Sequence, residues 1–416
     1  MRLVLFASWL AALLLLSACT TAPTAPTAPR PAAADGPLIL ISIDGFRWDY
    51  LERHSAPTLS RLAREGSHAR RMTPSFPSKT FPNHYTLVTG LRPESHGIVA
   101  NWFWDPQLGE MFGMAKTETH WWNAGEPIWI TAEKQRVRSA CFFWPGSESE
   151  LQGIRPSYYR PFEKKLTPFE RVDGLLAWLD LPPERRPQFL TLYFDHVDTI
   201  GHNSGPLAPE TAAAVAEADA AIARLLAGLE KRGLGATANL VIVADHGMSE
   251  TSPEQVIFIE DLMDVNQVQV ESLGPNGGVR PKPGTVSTAE LAAAIRAKAP
   301  PQLQVYLREE VPERLHYRRS DRIPPVVLMA DDHWNIESKV GWPRRRANYS
   351  RGSHGWDPAL PNMGALFLAH GPAFKRGHSF PDVENVHVYS LLCAVLGIQP
   401  APNEGDDRLA REILRR

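Results

Sequence analysis

Leu38-Ile39-Leu40-Ile41-Ser42-Ile43-Asp44-Gly45 is a nearly continuous apolar run closed by an acid and a glycine. A strand buried on both faces of a parallel sheet reads this way, whereas a strand with one wet face alternates. The pattern returns at Phe189-Leu190-Thr191-Leu192-Tyr193-Phe194 and at Leu240-Val241-Ile242-Val243-Ala244, which ends in another acid, Asp245. Residues 364–369 are expected to supply a fourth strand. Between these runs, residues 55–65 carry helical spacing through Leu59, Leu62 and Ala63, and residues 210–233 form a long Ala-rich amphipathic stretch closed by Gly233. Thr80 precedes Pro82, Tyr85, Leu87 and Val88, the pattern of a helix start with Thr80 near its N-cap. Strands alternating with helices predict an α/β fold: a mostly parallel central sheet with helices on both faces.

Residues 258–339 differ. Short β-rich pieces at 265–270, 304–306 and 326–328, Pro-rich joints and one helix near 288–297 predict a small α+β lobe inserted into a main domain spanning 38–416. At the other end, Arg2 is followed by an apolar stretch, residues 3–16, which is shorter than the roughly 20 residues a bilayer span needs. Residues 1–18 therefore read as a signal peptide. Leu16-Ser17-Ala18-Cys19 resembles a bacterial lipobox, implying cleavage before Cys19 and lipid attachment to its sulfur. Thr20, where an Asp would retain the protein at the inner membrane, points to the periplasmic face of the outer membrane. Without use of the lipobox, the protein would be soluble in the periplasm or secreted. Residues 19–37, rich in Pro, Ala and Thr, suit a tether.

A net charge of −2 gives no global field that would attract nucleic acid, and no specific nucleic-acid or protein partner is expected. Besides Cys19 there are Cys141 and Cys393, whose spacing leaves a disulfide and two buried thiols equally open. Arg344-Arg345-Arg346 reads as a solvated face, and Trp102, Trp104, Trp121 and Trp122 as packing residues.

Several of the remaining polar residues are of metal-ligand type. Asp198-Thr199-Ile200-Gly201-His202 sets a carboxylate and an imidazole four residues apart, and His354 completes an Asp/His/His set with open positions, as zinc hydrolases need. Asp44, Asp245 and His246 form a second group. Mixed oxygen and nitrogen donors suit Zn²⁺ better than Mg²⁺ or Ca²⁺. Two metals about 4 Å apart clamp the attacking and leaving oxygens of an in-line phosphoryl displacement. Thr80 would be the nucleophile, with the helix N-terminus behind it offering N–H groups to phosphate oxygens. Taken singly, each residue has a plainer role: Asp44 and Thr80 as helix caps, Asp245-His246-Gly247 as a turn. Their joint occurrence points to one dinuclear site.

Asp44-Gly45-Phe46-Arg47, Pro77-Ser78-Lys79-Thr80-Phe81-Pro82-Asn83-His84, Gly90-Leu91-Arg92-Pro93-Glu94-Ser95-His96-Gly97-Ile98, Asp198 to His202, Asp245-His246-Gly247-Met248 and Gly352-Ser353-His354-Gly355 resemble the nucleotide pyrophosphatase/phosphodiesterase family of the alkaline phosphatase superfamily. The similarity covers nearly all of the chain after residue 37. Without the Cys-rich and nuclease-like modules of the large animal members, the chain is similar to the compact bacterial enzymes. The resemblance implies an alkaline-phosphatase-like fold and two zinc ions, one held by Asp198, His202 and His354, the other by Asp44, Thr80, Asp245 and His246. It also implies a phosphothreonine intermediate at Thr80 and an oxygen-stabilising role for Asn101. Phe81 and Tyr193 would line a nucleoside pocket, and Phe162 falls where nucleotide-hydrolysing members often carry a stacking Tyr. The implied activity is hydrolysis of nucleoside triphosphates and other nucleotide diesters to nucleoside 5′-monophosphates. The alternative within the same family is cleavage of choline phosphodiesters or lysophospholipids. The implied partners are a small phosphodiester substrate and, through the lipid anchor, a membrane.

Overall fold

The computed structural model describes residues 36–415. The signal peptide, the lipobox and nearly all of the tether lie outside the described residues. Eight strands form the main sheet: β1 (Leu38–Ile43), β2 (Ser67–Ala69), β3 (Ser139–Phe142), β4 (Tyr158–Arg160), β5 (Phe189–Phe194), β6 (Asn239–Val243), β7 (Phe367–His370) and β8 (His378–Phe380), in the spatial order β8-β2-β7-β6-β1-β5-β3-β4. From β6 to β4 every pairing is parallel. Every residue of β1, β5 and β6 is buried, as their apolar runs require.

One departure from the expected sheet is β7, which runs antiparallel to both β6 and β2. The chain reaches β7 from the segment carrying His354, which lies at the carboxyl edge of the sheet, so it must descend against the direction of β6. The Ala244 N–H donating to the Leu366 carbonyl marks that return. A hydrophobicity pattern reports burial and is blind to strand direction.

Helices cover the sheet in two groups. In one, α1 (Pro57–Glu65) and α3 (Pro168–Leu179) each pack on α5 (Pro209–Lys231); in the other, α2 (Thr80–Thr89) packs on α6 (Val388–Leu396), which also touches β1. Buried Asp219 of α5 accepts from the backbone N–H groups of Thr58 and Leu59, satisfying donors that the first turn of α1 leaves free. Between α3 and α5 lies α4 (His196–Ser204).

A second, antiparallel sheet orders Val268–Ser272, Asn276–Pro281, Val326–Ala330 and Leu303–Leu307, with the helix Thr288–Arg296 packed against it. Its apolar cluster, including Val279, Leu291, Ile295 and Leu328, is separate from the main core. Both Cys141 and Cys393 are buried free thiols, so no disulfide joins them.

Buried His96 illustrates how polar groups are held in this core. Its Nδ1 accepts from the Ile98 N–H at 3.1 Å, while Nε2 stands 3.2 Å from the Pro82 carbonyl. A proton on Nδ1 would break the first bond, and burial pushes the imidazole down to about 3. Between its unfolded value of about 6.5 and that folded value, the unfolded chain binds the extra proton, so stability falls as pH drops, by up to about 1.4 kcal/mol per unit. Melting curves between pH 7 and 4 should show this loss, and His96→Gln should flatten it. An unchanged slope in the variant would mean that other groups carry the acid sensitivity.

Candidate active site

The register of the parallel strands builds the site. Ile43 pairs with Phe194 and Ser42 with Val243, so β1, β5 and β6 end level and release Asp44, α4 and Asp245-His246 at one edge. Open α/β sheets place their ligands at that carboxyl edge. Asp198 and His202 lie one turn apart on α4, with Oδ2 of Asp198 3.4 Å from Nε2 of His202. His354 follows the short strand Gly352–Ser353, and its Nε2 stands 3.6 Å from Asp198 Oδ1.

Thr80 is the first residue of α2; Lys79 occupies the N-cap position and no side chain caps this helix. Thr80 thus stands next to the N-cap, as its spacing from Pro82 implied, and the plainer alternative in which its side chain caps the helix does not hold. Its hydroxyl is free of that bond and lies 3.3 Å from His246 Nε2. That nitrogen is also 2.9 Å from Asp245 Oδ2 and 3.5 Å from Asp44 Oδ1. The imidazoles of His246 and His354 stack with centroids 3.5 Å apart.

Two groups have mutually close donor atoms, Asp44 with Asp245 and His246, and Asp198 with His246 and His354, each within 4.8 Å. His246 belongs to both, whereas the sequence reading assigned it to the Asp44 group alone. His202 enters neither triad by that measure, although it reaches Asp198 and its ring lies 5.0 Å from that of His354.

These residues fit a divalent cation. Nδ1 of His202 donates to the Gly352 carbonyl at 2.7 Å, that of His246 to Gly247 at 2.9 Å and that of His354 to Ser78 at 2.9 Å. Each ring is thereby fixed with Nε2 toward the carboxylates, the orientation metal-ligating histidines need. Asp44 Oδ1, Asp198 Oδ1 and Asp245 Oδ2 are buried and accept no hydrogen bond. Burial, with the charges of Asp245 and Asp198, pushes Asp44 well up, and burial pushes Asp198 up. Burial opposes ionisation of Asp245 too, but His246 and His84 hold it below the usual carboxylate range. Burial and the neighbouring His246 and His202 push His354 down, keeping it a neutral donor. Among the described residues these three carboxylates pair with no Lys or Arg, only with imidazoles, an arrangement a bound metal compensates.

A cavity of about 900 Å³ opens over this cluster, lined by Thr80, Phe81, Asn101, Phe162, Tyr193 and His354 among others. Asn101 Oδ1 accepts the Phe81 N–H at 2.9 Å, leaving its NH₂ group as the free donor beside the start of α2. Phe162 is half-exposed, and its ring lies 6.1 Å from that of Tyr193. Tyr193 does more than line the wall: its hydroxyl donates to Asp44 Oδ2 at 2.6 Å. Trp121 and Trp122 are buried as expected, but Trp102 is 51% exposed and lines the cavity, correcting its reading as a packing residue.

Two further residues emerge only from the folded chain. His84 sits one turn after Thr80, with Nε2 2.8 Å from Ser42 Oγ and Nδ1 2.9 Å from the Thr80 carbonyl, bracing α2 against β1. The spacing of four on one helix face was the available signal. Lys79 lines the cavity, and burial pushes its amine down to about 8.

The α/β sheet and its edge cluster of carboxylates, imidazoles and one hydroxyl form a candidate metal site of the kind hydrolases use. Residues 38–357 match the family described as type I phosphodiesterase / nucleotide pyrophosphatase, and the chain belongs to that family. It is 40% identical over 379 residues to a pyrophosphatase/phosphodiesterase of Schizosaccharomyces pombe, covering 88% of this chain and 78% of that one. It is 38% identical over 391 residues to mouse ectonucleotide pyrophosphatase/phosphodiesterase family member 1, covering 91% of this chain but only 43% of that longer protein. Murine ectonucleotide pyrophosphatase/phosphodiesterase 5 superposes with a TM-score of 0.86 at 33% identity, over 91% of this chain and all of that one. An inactive threonine-to-alanine variant of that murine protein, in complex with AMP, matches with the same TM-score.

Proposed function

We propose that this chain is a two-zinc phosphodiesterase that hydrolyses nucleotide diesters and pyrophosphates to nucleoside 5′-monophosphates. The observation that carries the reading is the Thr80 hydroxyl at a helix N-terminus, uncommitted to capping and 3.3 Å from Nε2 of the histidine common to both donor triads, inside an aromatic-walled cavity. The relatives named as nucleotide pyrophosphatase/phosphodiesterases support the activity, and the AMP held by the murine relative supports a nucleotide substrate. Asp44, Thr80, Asp245 and His246 would hold one zinc, and Asp198, His202 and His354 the other, with His246 near both. When bound, the zinc ions neutralise charge on the reacting phosphate and make the threonine hydroxyl acidic.

The chain's own residues do the rest. Thr80 Oγ forms the new P–O bond as the ester or anhydride bond to the leaving group breaks, giving a phosphothreonine diester. Water then attacks phosphorus, restores the Thr80 hydroxyl and releases the 5′-monophosphate. Asn101 donates from its NH₂ group to a nonbridging oxygen, an interaction that strengthens as charge develops there. Phe81 and Phe162 offer ring faces to the base, and Tyr193 orients Asp44. The leader and Cys19 would carry this activity outside the cytoplasm on a lipid anchor.

The test is a comparison of kcat/KM for nitrophenyl esters of a nucleoside 5′-monophosphate, of phosphocholine and of phosphate alone. The nucleotide ester should lead by about tenfold or more, the scale of one stacked base, and Phe81→Ala should erase most of that lead. Preference for phosphocholine would move the substrate to choline lipids, since an aromatic wall also holds quaternary ammonium groups. The small sheet of residues 268–330 would act as an inserted lobe closing one side of the cavity, which Val270 to Pro275 line.

A further inference from the structure

We propose that the amino edge of the main sheet, opposite the carboxylate and imidazole cluster, is a cationic surface that lies on an anionic phospholipid bilayer and turns the active site away from it. The surface itself stands on charge and placement; its permanent nearness to lipid rests on the anchor reading above.

Sheet register defines the edge. Leu38 pairs with both Phe189 and Asn239, and Ser139 pairs with Phe189, so β1, β3, β5 and β6 begin level. β7 runs the other way, and its last residue, His370, pairs with Leu240. The loops before β3, β5 and β6 and the loop after β7 therefore share one edge. Residues 135–138 bring Arg136 and Arg138, and residues 180–188 bring Arg185 and Arg186 with Asp180 and Glu184. Residues 232–238 bring Arg232, and residues 371–377 bring Lys375 and Arg376. Arg415 joins them, its N–H donating to the Ala373 carbonyl. Eight cations stand against two acids, a formal +6 in a chain whose total is −2, so the remainder sums to −8. The helix ends that reach this edge, Arg64-Glu65, Glu133-Lys134 and Glu230-Lys231, add no net charge.

These charges are open. Of the eight, only Arg232 pairs with a carboxylate among the described residues, that of Asp180 at 2.6 Å. Arg138, Arg186, Lys375 and Arg415 donate to the carbonyls of Glu184, Leu181, Glu412 and Phe374, which fixes the side chains without neutralising them. Arg136, Arg185 and Arg376 are exposed, and their side chains have no partner among the described residues.

The described chain begins in the middle of this edge. The Leu38 N–H donates to the Gln188 carbonyl at 2.8 Å, and the Asn239 N–H to the Pro37 carbonyl at 2.9 Å. Gly36 lies against Thr237, whose carbonyl oxygen a Cβ would meet at 2.3 Å. Residue 36 thus sits between the loops carrying Arg185 and Arg232, and a tether running from it to a lipid at Cys19 starts on the basic side. Each cation held near an anionic bilayer strengthens attachment about fivefold. A bilayer offers a plane of charge that cations spread over several loops can all meet, whereas a small anion would engage one loop. The candidate metal cluster stands at the far end of β1, whose six residues span about 20 Å, more than twice the Debye length at physiological salt. Its cavity therefore faces soluble phosphodiesters and not the lipid beneath.

The test is amide hydrogen exchange of the full chain on vesicles of phosphatidylcholine, alone and mixed with phosphatidylglycerol. On the anionic vesicles, exchange in residues 180–188, 232–238 and 371–377 should slow severalfold relative to the neutral ones, with residues 102–114 beside the cavity unaffected. Arg136→Glu, Arg185→Glu and Arg376→Glu together should remove that protection, as should high salt. The melting temperature and kcat/KM on a nucleotide diester should not change, because none of the three touches the site. Protection that is absent, equal on neutral vesicles, unaltered by charge reversal or centred on residues 102–114 would overturn the proposal. Protection by heparin where anionic vesicles give none would assign these loops another partner and overturn it equally. The mass of the exported chain reports separately on lipid at Cys19: protection without that lipid would cancel the anchor and keep the surface.

Discussion

Thr80→Ala should lower kcat/KM on a nucleotide diester by about four orders of magnitude or more while most of the bound metal is retained. Removing the nucleophile from enzymes that form covalent intermediates has effects of about that size. The fold should tolerate the change. Thr80 begins α2 without acting as its cap, so alanine removes no helix-terminating bond and is itself a strong helix former. Its side chain is buried against the cluster of carboxylates and imidazoles, and the cavity left by one hydroxyl and one methyl is small. Six other donor residues remain, four of them held in place by the Gly352, Gly247 and Ser78 carbonyls and by the Tyr193 hydroxyl. Metal content by mass spectrometry and the melting curve should be measured beside turnover. Full activity would remove Thr80 from the chemistry. Loss of metal together with activity would make it chiefly a ligand.

Stripping metal with a chelator should abolish turnover and lower the melting temperature, and added Zn²⁺ should restore both. Without a cation, Asp44, Asp198 and Asp245 meet in a buried site where three of their oxygens accept no hydrogen bond. Burial disfavours their charges, and the coulombic effects of Asp245 and Asp198 on Asp44 add repulsion. Free metal at about a thousandfold its dissociation constant stabilises a folded protein by about 4 kcal/mol. With an unfolding entropy of about 2.1 cal/mol/K per residue, that is a shift of about 5 °C for a chain of this length. Tyr193→Phe should reduce the shift by freeing Asp44 Oδ2 of its only hydroxyl donor among the described residues. A melting temperature indifferent to chelation and to Zn²⁺ would rule out a structural metal at this cluster.

The central strands were legible because their environment is uniform. With helices on both faces, β1, β5 and β6 have no wet side, and composition alone reveals them. The acids closing β1 and β6 were legible for the same reason, since a charge ends an apolar run where the sheet meets its open edge. The small sheet was read less well: residues 265–267 form a 3-10 turn before the strand Val268–Ser272 begins. Partly exposed strands alternate weakly, and short turns resemble them in sequence.

Local sequence thus determined the α/β class, the parallel core and the candidate set of carboxylates, imidazoles and one hydroxyl, because burial pattern and donor chemistry are properties of residues and near neighbours. Tertiary structure decided what depends on residues far apart in the chain. It turned β7 antiparallel, set His246 within reach of both donor groups, bound Tyr193 to Asp44 and left Cys141 and Cys393 unpaired. It also left Trp102 half-exposed and lining the cavity, where sequence alone read it as a packing residue. Strand direction, shared ligands and the exposure of one ring are fixed by which surfaces meet, and no local stretch of sequence contains both surfaces.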